Sequence, residues 1–348
     1  MNTLVFCFAL LLPIIGMGQS APLSAPEFNI PKNLKDWKKE RVTLRHTLTG
    51  LMGNLPSRPS VAVKILSRED KGYCTLEKFE FDNGAGALVP GYMLTPKSGK
   101  APFPAIYYCH CHGNRYESGK EEIFTTRPAP EVPAEVLTKA GYVIMVIDAY
   151  CFSERSGKGP GGAQEKGGAE ELSASKRELW FGRSLWAMMV RDDLMALDYL
   201  FTRPEVDKQR VAVTGMSMGA TRSWWLMALD ERIKTGVAVA CLTRYQDLIS
   251  EHNLKAHGIY YFVPGILNHF DTEAIISLIA PKPVLFMTGD EDIGSPADGI
   301  HKIVAKVRPV YQLYGKSDAF ENIIYPKLGH VYTPEMWQKM LQWMNKRL

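Results

Sequence analysis

Residues 211–229 constrain the fold more than any other stretch of this chain. Val211-Ala212-Val213-Thr214 is a short apolar run rich in β-branched side chains, which reads as a buried strand. Gly215-Met216-Ser217-Met218-Gly219 follows with no intervening loop, and Ala220 to Leu229 then reads as helix. Strand, G-x-S-x-G and helix in immediate succession are the signature of a nucleophile elbow. A Ser at the apex of so tight a turn needs residues without side chains two positions before it and two after. The helix that starts there directs its N–H groups and its positive dipole end at negative charge developing beside the Ser.

The rest of the chain supplies what such a site needs around it. It has 348 residues, 46% hydrophobic and 22% charged, enough apolar material for a large core and too little charge for disorder. The net charge of +4 is mild and no long Lys/Arg run occurs, so no nucleic-acid partner is expected. Leu4 to Ile15 is an apolar run followed by Gly16-Met17-Gly18-Gln19-Ser20-Ala21. It is shorter than the roughly 20 residues a membrane span needs, and it reads as a signal peptide, residues 1–18, of a secreted or periplasmic protein. No stable membrane insertion is expected. Of the six Cys, Cys7 leaves with that leader. The remaining five read as buried small hydrophobes rather than a disulfide framework.

Ser20 to Pro31 reads as a loose linker, and Leu34, Trp37, Arg41, Leu44, Leu48 and Leu51 recur at helical spacing before Gly53. Residues 19–70 are therefore assigned to a linker and an N-terminal helix, and 71–348 to one catalytic domain. Residues 73–82 and 87–94 alternate like antiparallel strands around Asp82-Asn83-Gly84. Buried-strand runs follow at 103–109, 143–148, 211–214, 237–241 and 284–288, with helices between them, one ending near Gly141 and one over about 180–201. This order predicts an α/β fold with a mostly parallel central sheet and helices on both faces. Residues 153–178, Gly-rich and charged, read as a long surface loop, and the aromatic, His-rich stretch 244–280 as a candidate cap over the site.

A Ser nucleophile is inert without a base and a group that orients the base. In this chain order the acid follows the Ser and the His comes last. The strand ending at Thr288 runs into Gly289-Asp290-Glu291-Asp292-Ile293-Gly294-Ser295-Pro296, and Asp292 is the expected acid, with Asp290 the competitor. His330, in Leu328-Gly329-His330-Val331 ahead of a C-terminal helix, is the expected base, since His301 sits in a helical pattern. The oxyanion hole needs two backbone N–H groups. Met218 N–H, next to the nucleophile, is one; Asn114 N–H, in Cys109-His110-Cys111-His112-Gly113-Asn114-Arg115, is the other. The Cys/His alternation of that segment puts the two Cys on one strand face and the two His on the other, so no metal site is expected.

These motifs resemble the secreted bacterial α/β-hydrolases of the acetyl xylan esterase and dienelactone hydrolase type. The resemblance covers about residues 70–348. It rests on Cys111-His112-Gly113-Asn114, Arg203-Pro204-Glu205-Val206-Asp207, Gly215 to Gly219, Gly289-Asp290-Glu291-Asp292 and Gly329-His330. It implies a Ser217, Asp292, His330 triad acting on carboxylic esters, carbohydrate-linked acetyl esters among them, with no cofactor and a small-molecule or polysaccharide ester as substrate. Met218 stands where acetyl xylan esterases usually carry Gln, which leaves acetylated xylan itself open. The Arg that glucuronoyl esterases carry after the Ser is absent. Arg115, Arg222 and the aromatics of 244–270 are candidates to shape a substrate pocket, although Arg222 also reads as a helix-surface or ion-pair Arg. The alternatives are a serine peptidase of the prolyl-oligopeptidase type and a non-catalytic binding protein on the same fold.

Overall fold

The computed structural model describes residues 24–348; the signal-peptide expectation for residues 1–18 lies outside them. Among the described residues nine strands form one sheet: β1 (Val63–Asp70), β2 (Cys74–Asp82), β3 (Leu88–Pro96), β4 (Phe103–Cys109), β5 (Val143–Ile147), β6 (Val206–Met216), β7 (Thr235–Val239), β8 (Val284–Gly289) and β9 (Phe320–Tyr325). Their spatial order is β1-β2-β3-β5-β4-β6-β7-β8-β9. The pairs from β1 through β3 to β5 are antiparallel, and those from β5 through β4 to β9 are parallel. The helices are α1 (Leu34–Leu51), α2 (Pro133–Lys139), α3 (Gly168–Trp180), α4 (Leu185–Leu200), α5 (Met218–Leu229), α6 (Tyr245–Ser250), α7 (Thr272–Ser277), α8 (Ala297–Leu313) and α9 (Pro334–Arg347).

The alternation of β4 shows how the sheet separates two cores. Ala105, Tyr107 and Cys109 face a core shared with α1, α4, α5 and α8. Ile106 and Tyr108 face the other core, built with α2 and α9. Period-two alternation with both faces buried is what a central strand between two helical layers requires. The hairpin of β2 and β3 is closed by Asn83, whose buried Oδ1 accepts the N–H groups of Ala85 and Ala87. Helix α1 forms as its spacing predicts, capped by Asn33 and burying Trp37, Leu44 and Leu48.

Four expectations are corrected. Residues 63–70 are not linker; they form the edge strand β1, so the sheet begins before residue 71. Within 24–31, Phe28 is buried edge-on against Trp37, so this stretch is not loose. The surface loop expected over 153–178 becomes helix at Gly168. The helix expected over 180–201 starts at Leu185 instead, because Gly182 takes a left-handed φ of 71° and Ser184 caps the Ala187 amide at 3.1 Å. Trp180 closes α3 and is 91% exposed, so its place in the apolar periodicity does not reflect burial. Strand β9 escaped the sequence reading because, as an edge strand, four of its six residues are only half-buried.

Candidate active site

The elbow forms at the end of β6. Ser217 has φ 58° and ψ −120°, a conformation a side chain adopts only when its surroundings hold it there. Its N–H is tied to Val239 O on the neighbouring strand at 2.9 Å. The two glycines are required by close approach: a Cβ on Gly215 or on Gly219 would collide with the carbonyl oxygen of Cys109 at the end of β4. The first intrahelical bond of α5 runs from Thr221 N–H to Ser217 O, so the Met218 amide has no acceptor within the helix.

The loops after β8 and β9 bring two more expected residues to the Ser. His330 Nε2 lies 2.8 Å from Ser217 Oγ, and His330 Nδ1 lies 2.8 Å from Asp292 Oδ2. Asp292 is buried, and its other oxygen accepts the Gly294 N–H at 2.9 Å. Asp290 does something different: it accepts the Lys327 N–H at 2.6 Å and so ties the acid loop to the loop carrying His330. The same loops are joined by Glu291 N–H to Leu328 O at 2.9 Å, and Gly289 has no room for a Cβ beside Leu328 O.

The loop after β4 lies on the other side of the Ser. Burial pushes the Cys111 thiol up. Asn114 N–H does not stand free as expected; it donates to His112 Nδ1 in its own loop at 3.1 Å. Cys111 N–H goes to Glu122 Oε2 at 2.8 Å and Arg115 N–H to His112 O at 2.9 Å. Among the described residues, Gly113 N–H has no acceptor. Glu122 also accepts the Tyr108 hydroxyl at 3.0 Å, and burial pushes its carboxyl up to about 8.

The other candidates sort differently. Arg222 is buried, with Nε 2.9 Å from Asp193 Oδ2, and does not line a pocket; Tyr107 OH donates to the same carboxylate at 2.7 Å. Arg115 pairs with Glu117 at the surface, 3.3 Å away. His110 is a core histidine held neutral by burial, its Nε2 accepting the Ala149 N–H at 3.0 Å. The described residues contain no cluster of metal-ligating side chains, and their five cysteines are free. From the stretch 244–280, Tyr260 stacks on the His112 ring and His257 Nε2 reaches Gly294 O at 2.8 Å, so this segment does pack against the site. The sequence reading missed Glu122 and Glu171, the two buried acids under the β4 loop; no local signal distinguished them from solvated carboxylates.

Two cavities are lined largely by residues of the stretches 244–280 and 153–178. One of about 320 Å³ is apolar, lined by Tyr245, Leu248, Tyr261, Phe262, Val263 and Ile266 among others. One of about 260 Å³ has Tyr150, Arg155, Lys158, Glu170 and Arg177 in its wall. Neither includes Ser217 or His330, whose side chain is 43% exposed.

Comparison with known proteins places this geometry. YtaP of Bacillus subtilis (strain 168), named as a hydrolase, is 34% identical over 310 residues, covering 88% of this chain and all of the relative. A Yersinia pestis protein named as a carboxymethylenebutenolidase is 23% identical over 273 residues, covering 75% and 85%. A solved structure described as an acetyl xylan esterase from Bacteroides fragilis NCTC 9343 superposes with a TM-score of 0.73 at 20% identity, covering 92% of this chain and 90% of that one. A glucuronoyl esterase from Solibacter usitatus gives 0.70 at 16% identity, covering 93% and 99%. At these identities the two structures speak for the fold, which is the α/β-hydrolase fold. The family model described as "Abhydrolase family" matches residues 20–346, and the chain belongs to that family.

Proposed function

We propose that this protein is a secreted serine hydrolase that cleaves carboxylic esters through an acyl-enzyme on Ser217. The observation that carries the reading is the chain of two 2.8 Å contacts, Ser217 Oγ to His330 Nε2 and His330 Nδ1 to Asp292 Oδ2, at a Ser in left-handed backbone. His330 takes the hydroxyl proton as Ser217 Oγ bonds to the ester carbonyl carbon. Asp292, held by Gly294 N–H, keeps the imidazole proton on Nδ1 so that Nε2 can accept. The tetrahedral oxyanion is met by Met218 N–H, by the start of α5 and by the Gly113–Asn114 turn. His330 then gives its proton to the departing alcohol, and water repeats the sequence to release the acid. Asn114 can serve as a donor only by leaving His112, whereas Gly113 N–H is unclaimed.

Because the Ser–His pair opens onto the surface, an ester carried on a large molecule can reach it. This supports a carbohydrate-linked ester, the class of substrate that the names of the structural neighbours suggest. The test is turnover of p-nitrophenyl acetate, acetylated polysaccharides and peptide anilides by wild type and Ser217→Ala. Ester turnover that disappears in Ser217→Ala is expected. Turnover of peptide anilides alone would favour a peptidase, and turnover that survives the substitution would overturn the mechanism. Export is tested by the mature N-terminus of the protein recovered outside the cytoplasm, expected near residue 19.

A further inference from the structure

A second histidine–carboxylate pair lies under the β4 loop, and the three-residue relay does not use it. His112 Nε2 is 2.8 Å from Glu171 Oε2, and both side chains are buried. The other ring nitrogen accepts Asn114 N–H at 3.1 Å. A backbone amide can only donate, so Nδ1 carries no proton and Nε2–H donates to the carboxylate; the tautomer is fixed. The ring has little freedom to turn. It stacks on Tyr260, with centroids 4.8 Å apart and planes 15° apart, and meets Tyr116 and Phe152 edge-on.

Glu171 comes from the first turn of α3, the helix fed by the Gly-rich segment after β5. Its neighbour Glu170 folds that segment, accepting the N–H groups of Gly157, Lys158 and Gly159 at 2.8, 3.1 and 2.8 Å. Two successive carboxylates thus have different tasks: one organises the insertion, and the other grips the loop beside the nucleophile.

We propose that His112 and Glu171 are positioning residues that hold the oxyanion loop in its working shape. Gly113 and Asn114 are both left-handed, with φ of 51° and 55°. Glycine adopts this freely, whereas for Asn114 it is strained, and the bond to the His112 ring offsets that strain. With the Asn114 amide held by the ring, the turn is locked and Gly113 N–H is left without an acceptor, available to an acyl oxygen. The inference rests on the hydrolase reading, because an oxyanion hole acts only if Ser217 attacks a carbonyl.

The test compares Glu171→Ala and Glu171→Gln with wild type on p-nitrophenyl acetate, together with inhibition by a trifluoromethyl ketone, whose bound adduct is tetrahedral. Glu171→Ala is expected to lower kcat by roughly tenfold to a hundredfold with KM within about twofold, and to weaken the ketone by a similar factor. Glu171→Gln, whose amide oxygen still accepts from Nε2–H, is expected to recover to within about threefold of wild type. If Glu171→Ala does not fold, His112→Phe keeps the ring packing, loses both nitrogen bonds, and carries the same expectation. Unchanged kcat, a loss confined to KM, or a Gln variant as impaired as Ala overturns the inference while wild-type turnover leaves the hydrolase reading intact. A wild type without Ser217-dependent turnover overturns both.

Discussion

Asp292 and His330 are 38 residues apart in the chain and 2.8 Å apart in space. What closes that gap is backbone: Glu291 N–H to Leu328 O, Asp290 N–H to Tyr325 O, and Lys327 N–H to the Asp290 side chain. The two loops therefore behave as one body, and the carboxylates on it differ in task. Asp292→Asn is expected to leave the fold intact and lower kcat by roughly 10⁴-fold, because the amide no longer selects the working tautomer. Asp290→Asn keeps an acceptor for Lys327 N–H and should change kcat by less than about threefold. Steady-state kinetics on p-nitrophenyl acetate check both, and the reverse order would move the acid to Asp290.

The elbow has no slack at its glycines. Gly219→Ala puts a methyl group into the Cys109 carbonyl, a backbone atom that cannot swing away as a flexible side chain could. The expected cost is about 1–3 kcal/mol or more, read as a lower thermal midpoint, together with loss of turnover as the Ser shifts. A variant with wild-type midpoint and activity would show that the turn relaxes freely.

Burial lifts the Glu122 carboxyl from its ordinary 4.5 to about 8. Between those values the folded protein keeps a proton that the unfolded chain has released. Stability from this group is therefore full below about pH 4.5 and is lost as the pH rises toward 8. Glu122→Gln is neutral at every pH and removes the contribution. Thermal unfolding from about pH 5 to pH 9 should show wild type losing ground to the variant as pH rises. Parallel curves would mean Glu122 is ionised throughout.

Arg222 stands one turn behind the nucleophile yet serves the core. Arg222→Met leaves Asp193 buried with only the Tyr107 hydroxyl, and breaking such a pair costs about 3–5 kcal/mol. Denaturant unfolding should register that loss while KM for p-nitrophenyl acetate stays within about twofold. A stable variant with a raised KM would return Arg222 to the substrate pocket.

The sequence by itself determined the central strands, the elbow and the order Ser217, Asp292, His330. Each of these is recorded locally: an apolar β-branched run says strand, and a residue just past its end stands at the edge where the loops gather. Tertiary structure decided the rest. Strands β1 and β9 are edges whose half-exposed residues carry no buried-strand run. The break at Gly182–Ser184 was hidden by an apolar periodicity running from Trp180 into α4. The Asn114 amide looked free because nothing in its own heptapeptide shows that Tyr260 and Glu171, far along the chain, clamp the His112 ring beneath it. Periodicity reports how much of a side chain is buried; which partner it is buried against depends on contacts between distant segments, and only the folded chain makes those.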